Sequence, residues 1–178
     1  YRTITSETTR GPVSGGKGTT TDRGTHVPLI ASYPGTIPAG RVCADLIDFS
    51  DVVPTLAEAS GFDLPADRPI DGRSFWPQLR GEVGSPREWI YCYPNPRPGK
   101  KGFPERQFVR DLRWKLYGDG RLFDLDSDRL EERPILAGEG SEPAEAARVR
   151  LEEARATMPP VAHLKDPGAD RDGASPGG

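Results

Sequence analysis

The sequence is short of the residues that most often carry chemistry: among 178 residues it has two cysteines, two histidines and one methionine. Cys43 and Cys92 allow at most one disulfide and cannot build a metal cluster. Sequence separation does not say whether two Cα atoms come within bridging range, and we expect partly buried thiols rather than a bridge. His26 and His163 have no identifiable Cys, Ser or Asp partner for a triad. We expect His26 to be a structural or pocket-lining imidazole and His163 to have no specific role. No apolar run approaches the roughly 18 to 20 residues of a membrane-spanning helix, so no membrane partner is expected. A net charge of −3 argues against nucleic acid as the main partner. Met158 is the only methionine, and the chain opens at Tyr1 without a charged n-region, apolar h-region or cleavage site. A portion of a longer protein, with its targeting signal elsewhere, is therefore expected.

What the sequence has in quantity is glycine and proline, 21 and 19 residues, which imply many turns and short regular elements. The stretch Gly15 to Pro34, GGKGTTTDRGTHVPLIASYP, is the most informative. Gly15, Gly16 and Gly18 strip side chains from the backbone beside Lys17, where a compact tetrahedral anion could approach the main chain and meet a mobile point charge. Val27 to Tyr33 then reads as a short buried strand, so loop, lysine and strand suggest an anion site at the edge of an α/β sheet.

Four segments carry a wider resemblance: GKGTTTDRGTHVPLIASYPG, DVVPTLAEASG, DGRSFWPQLRGE and RWKLYGDGRLFDLDSD. In this order and spacing, over about residues 1 to 135, the chain resembles the C-terminal third of sulfatases of the arylsulfatase type, within the alkaline-phosphatase-like superfamily. The resemblance implies that Lys17 is both the substrate-binding and the catalytic residue, since a lysine in a Gly-Lys-Gly segment contacts the sulfate ester in that family. It also implies a formylglycine nucleophile and a Ca²⁺ ion, with the calcium ligands upstream of Tyr1 and no metal ligand in this chain. Cys92-Tyr-Pro-Asn-Pro-Arg97 resembles the family's Cys-x-Pro-x-Arg nucleophile motif, but Pro96 stands where arginine belongs. We read Cys92 as a strand-end residue.

The implied fold is α/β: the edge of an alkaline-phosphatase-like α/β sandwich, followed by a small antiparallel-sheet subdomain with a C-terminal helix. Residues 1–83 are assigned to the catalytic α/β domain, 84–162 to the small sheet and its helix, and 163–178 to a disordered tail. Tyr1 to Ser14 reads as a loop facing the site. Asp51 is a candidate helix N-cap, Val53, Leu56 and Ala57 a candidate buried face, and Gly61 the helix end. Phe75, Trp76 and Leu79 are expected to cover a sheet edge. Trp89–Tyr93, Gln107–Arg110, Arg113–Tyr117 and Arg121–Leu125 read as strands. Asp119-Gly120 predicts a two-residue type I′ turn, which sets Lys115 opposite Asp124, Leu116 opposite Phe123 and Trp114 opposite Leu125, with one face apolar and the other carrying an ion pair. Ser141-Glu142-Pro143 predicts a helix start, with Ala147, Leu151, Ala154 and Met158 on the face that crosses the sheet.

Two charged segments remain. Asp124, Asp126 and Asp128 begin like a calcium loop, but Arg129 stands where glycine is needed and Ile135 where the bidentate glutamate is needed. Arg97, Lys100 and Lys101 lie in a basic loop that could border a cleft for polyanions, touch another subunit or be solvated. As function, the resemblance implies a sulfuric ester hydrolase acting on sulfated small molecules or sulfated carbohydrates, exported from the cytoplasm, with only Lys17 of its machinery in this chain. The alternatives are a phosphodiesterase or phosphonate hydrolase of the same superfamily, and a non-catalytic module that binds sulfated glycans.

Overall fold

The computed structural model describes residues 4–9, 11–94 and 106–159. Arg97, Lys100, Lys101, His163 and the expected tail lie outside the described residues. The architecture is mixed helix and antiparallel sheet, in two compact units: residues 1–26 with 91–178, and residues 27–90. The Lys17 segment thus belongs to the small-sheet unit, a division that differs from the boundary expected after residue 83.

In the first unit, β1 (Thr5–Thr8) and β2 (Gly11–Ser14) pair as an exposed antiparallel hairpin where a loop was expected. Neither TSET nor GPVS carries an apolar alternation, which is why the sequence hid them. The four expected strands of the small sheet are present as β3 (Ile90–Cys92), β4 (Phe108–Arg110), β5 (Trp114–Tyr117) and β6 (Leu122–Asp124), in that spatial order.

The register differs from expectation by one residue. Trp114 pairs with Asp124, Lys115 with Phe123 and Leu116 with Leu122. The cause is the turn: the Gly120 amide donates to Tyr117 O at 3.0 Å and the Tyr117 amide to Arg121 O at 2.9 Å, closing a three-residue loop in place of a type I′ pair. Only Gly120 takes a positive φ there, +89°, as in a type I turn followed by a left-handed bulge residue. A one-residue slip moves every β6 side chain to the other face. Phe123 therefore joins Lys115, and Asp124 instead meets Arg113 in a bidentate pair at 2.8 and 3.0 Å.

One sheet face, with Val109, Leu116 and Leu122 fully buried, is apolar as expected. α4 (Glu142–Ala156) lies across β4, β5 and β6, and buries Ala144, Ala147, Leu151 and Ala154. Alanines let its backbone come close to the sheet. Met158 falls past the helix end. Ser141 sits at the N-cap without a side-chain bond; Glu145 instead reaches back to accept from the Gly138 and Gly140 amides. Buried Arg148 ties the helix to the hairpin through Gly120 O and to Ile135 O. The opposite sheet face carries Phe108, Tyr117 and Phe123, with Cys92 packed against them at the end of β3 as expected.

In the second unit the expected strand Val27–Tyr33 does not form. Its residues have no strand partner among the described residues, Pro28 lacks a donor, and Val27, Leu29, Ile30 and Tyr33 are exposed. The expected helix does form as α2 (Val52–Ser60), closed by Gly61 at φ +70°. Its buried residues are Pro54 and Thr55, and Val53 and Leu56 face outward, opposite to expectation. Thr55 Oγ1 turns the helix toward Phe75, whose amide donates to it at 3.0 Å, and Trp76 is buried in α3 (Trp76–Leu79).

Asp51 stands at the N-cap position of α2, as expected, but its side chain makes no capping bond to that helix. Asp48 opens a 3-10 turn at Phe49–Asp51 in a capping box, and Asp51 is its reciprocal member, accepting the Asp48 amide at 2.8 Å. The Asp51 carboxylate also accepts the Arg73 amide at 2.7 Å and the Arg87 guanidinium on both oxygens. Burial alone raises its pKa; the bonds from Arg87, Arg73 and Asp48 more than reverse this and hold it below the ordinary 3.8.

A group titrating lower in the folded than in the unfolded chain contributes stability above the unfolded pKa and loses it as pH falls toward the folded pKa. Asp51→Asn is therefore expected to cost about 3 kcal/mol at neutral pH, where it strands Arg87. The gap in Tm between parent and variant should narrow from about pH 4 downward. A gap constant from pH 7 to pH 2 would mean that the carboxylate's charge is not what holds this turn.

Candidate functional site: the Lys17 loop and its anchor

Lys17 is exposed at position two of a tight turn. The Thr19 amide donates to Gly16 O at 2.8 Å, and Gly18, in position three, has φ +84°. This is the type II arrangement, which needs glycine at that place. Thr19 Oγ1 adds a second bond to Gly16 O at 2.6 Å and lies 3.1 Å from Thr21 Oγ1. The Gly15 amide donates to Ile4 O at 2.8 Å, so the turn grows directly out of the β1–β2 hairpin.

The glycines do more than expose backbone. A Cβ on Gly16 would fall 2.5 Å from the Arg23 Cβ, and one on Gly24 would fall 2.3 Å from Thr19 O and 2.5 Å from Gly16 O. The loop from 16 to 24 thus closes on itself, with the one-turn α1 (Asp22–Thr25) packed under the Lys17 turn. Gly18 faces open space.

This loop is fastened to the sheet face that carries the aromatic residues. Lys115 Nζ donates to Thr20 O at 2.5 Å and to Glu131 Oε1 at 2.9 Å. The Asp22 amide donates to the same Glu131 oxygen at 3.2 Å, and Tyr117 OH donates to Glu131 Oε2 at 2.5 Å. Thr20 Oγ1 lies 3.2 Å from the Tyr117 hydroxyl, and Arg110 reaches Asp22 Oδ1 at 2.9 Å. Lys115 is completely buried and the Glu131 side chain is 2% exposed. The ammonium lies 4.1 Å from the Phe108 ring centroid, where the π face offers further attraction. Burial pushes the Lys115 pKa down, against the pull of Glu131, and burial together with the Glu131 bond pushes Tyr117 up.

Glu131 takes φ +59°, the left-handed region that costs a non-glycine residue about 1 kcal/mol. Asp128 holds it there: its carbonyl accepts the Glu131 amide, and its carboxylate accepts the Glu132 and Arg133 amides. Asp128 is thereby engaged by backbone, Asp124 by Arg113, and Asp126 lies outward at 3.7 Å from the same arginine. These three carboxylates do not converge on one point.

The sequence reading picked out Lys17 and missed Glu131 and Lys115. The two-residue turn expected at Asp119-Gly120 pairs Lys115 with Asp124, whereas the chain makes a three-residue turn and pairs it with Phe123. Glu131, within RLEERP, carries no local signal beyond ordinary surface charge. His26 is exposed, with Nδ1 3.6 Å from Asp22 Oδ2 on α1. Cys43 is exposed rather than partly buried, Cys92 is half-buried, and both stand as thiols.

The family model described as N-sulphoglucosamine sulphohydrolase, C-terminal, matches residues 17–155, from the exposed lysine into the last turn of α4, and the chain belongs to that sulfatase family. It is 33% identical to arylsulfatase D of Homo sapiens over 186 aligned positions, which cover 85% of this chain and 31% of that protein. It is 41% identical to steryl-sulfatase of Mus musculus over 86 positions, covering 48% and 14%. An ulvan-active sulfatase of Formosa agariphila is 31% identical over 121 positions, covering 67% and 24%. The chain therefore spans less than a third of the length of each of these relatives.

The close packing of the loop has a testable consequence. Gly24→Ala should force the 16–24 segment open and speed hydrogen exchange at the Thr19 and Thr25 amides, with the sheet amides unchanged. Gly18→Ala, with open space around it, should cost only the backbone strain of about 1 kcal/mol. Parent-like exchange in Gly24→Ala would rule out the closed loop.

Proposed function

We propose that this chain is the C-terminal portion of a sulfuric ester hydrolase, and that Lys17 contacts the sulfate group of the substrate. The observation that carries the reading is the braced turn itself: an exposed lysine on a backbone fixed by Thr19, Thr20 and Asp22, at the first residue of the sulfatase match. Substrates in this reading are sulfated small molecules or sulfated carbohydrates, and the protein works outside the cytoplasm. The remaining chemistry, a formylglycine nucleophile and Ca²⁺, is what sulfatase resemblance implies for the complete enzyme. Among the described residues no group of three His, Cys, Asp or Glu side chains could hold a metal ion.

What this chain supplies is electrostatic. As the S–O bond to the leaving group breaks, charge grows on the bridging oxygen and stays on the transferring group. A lysine aimed there stabilises the transition state more than the ground state. The compact ammonium on a four-carbon stem can follow the sulfate oxygens while the backbone stays still.

In the complete enzyme, Lys17→Ala should lower kcat by about 10² to 10³ with the fold intact and little change in KM. Lys17→Arg should recover only part of the loss, because a planar fork does not replace a compact charge on this turn. Steady-state hydrolysis of 4-nitrophenyl sulfate measures both. Near-normal kcat in a folded Lys17→Ala enzyme would make the Gly-Lys-Gly segment a surface turn without a part in the reaction.

A further inference from the structure

We propose that Glu131 is a positioning residue for the Lys17 turn: its carboxylate, seated between Lys115 and Tyr117, holds Thr20 and Asp22 against the sheet and so fixes where Lys17 emerges. The proposal rests on the reading of Lys17 as the sulfate-contacting residue. Glu131 acts through the backbone rather than on substrate. Its Oε1 takes the Asp22 amide directly and takes Lys115 Nζ, which in turn holds Thr20 O; its Oε2 takes the Tyr117 hydroxyl, which faces Thr20 Oγ1. From Thr19 to Thr21 the threonine hydroxyls carry that constraint back to Gly16 O, the first residue of the Lys17 turn.

The chemistry of the site calls for a carboxylate in particular. It must accept at once from an ammonium, an amide and a phenol, and only an ionised carboxylate offers acceptors alone. The left-handed backbone at Glu131, maintained by three bonds to Asp128, aims the side chain inward to that point. Glutamine would keep the volume, but would remove the charge facing Lys115 and turn a donor toward Tyr117.

The test uses the complete, folded protein and limited trypsin digestion followed by mass spectrometry. Glu131→Gln should raise cleavage after Lys17 and after Arg23 about tenfold, while cleavage after Arg150, exposed on α4, stays unchanged. Tyr117→Phe, which deletes one bond to the carboxylate and keeps the ring and the charge pair, should do the same to a smaller extent. With 4-nitrophenyl sulfate, Glu131→Gln should lower kcat about tenfold at similar KM, and Lys17→Ala/Glu131→Gln should be no slower than Lys17→Ala alone. Cleavage that rises equally after Arg150, loop cleavage that does not change, or kcat losses that simply add would each overturn the proposal. A folded Lys17→Ala enzyme of normal kcat would instead remove the sulfate reading. The digestion needs no substrate and judges the anchoring separately.

Discussion

The small-sheet unit depends on one buried ion pair, Lys115 with Glu131. An ammonium taken wholly out of water is costly unless every donor is met, and here two bonds go to Thr20 O and Glu131 while the Phe108 ring lies over the charge. Such a pair is weak as a source of net stability, because desolvation offsets most of its attraction. Its effect is on specificity. Neither partner can leave without stranding the other, so the loop that supplies Thr20 and Asp22 cannot detach from the sheet piecemeal. A segment of glycines and threonines with no apolar face of its own acquires a fixed place by this means.

The same logic recurs, independently, in the second unit. Asp51 accepts from two backbone amides and a bidentate arginine, and it closes the capping box of the 3-10 turn that leads into α2. Both units are rich in turns and short elements, with modest apolar cores. In each, a carboxylate supplied with several donors fixes a junction that hydrophobic packing alone would leave loose. For Lys115 the cost of burial shows in its lowered pKa; for Asp51 the bonds outweigh burial, and the pKa falls.

Sequence pattern reached the four strands of the small sheet, the position of α4 and Ala147, Leu151 and Ala154 of its buried stripe, because alternation and 3.6-residue periodicity are local properties. It failed where the answer depended on a distant partner or a single turn residue. Val27–Tyr33 has the composition of a strand, but a strand exists only when another backbone pairs with it, and composition cannot supply that partner. Asp119-Gly120 looked like a two-residue turn; the chain uses Gly118 as well, and the extra residue moved Phe123 to the side of Lys115. Val53 and Leu56 marked a helix face correctly as apolar, yet Pro54 and Thr55 are the residues covered. The turn that carries Lys17 was legible through its glycines. Its anchor was not, since Glu131 lies 109 residues from the amide it holds at Asp22.

The division of labour within the loop follows from these contacts. Lysine is a poor residue for geometric precision, having four rotatable bonds, and a good one for placing charge. If its backbone also moved, the entropy of both would oppose the ordering of a substrate anion. Fixing Thr20 and Asp22 from the sheet and folding Gly16 against Gly24 removes the backbone part of that disorder. Gly18 then has a role beyond leaving space: its positive φ turns the chain so that Lys17 stands at the tip rather than along the edge of the loop. In the proposed role of Lys17, contact with a tetrahedral anion needs that combination more than it needs a rigid side chain, and the buried carboxylate and the lysine would then act as one device.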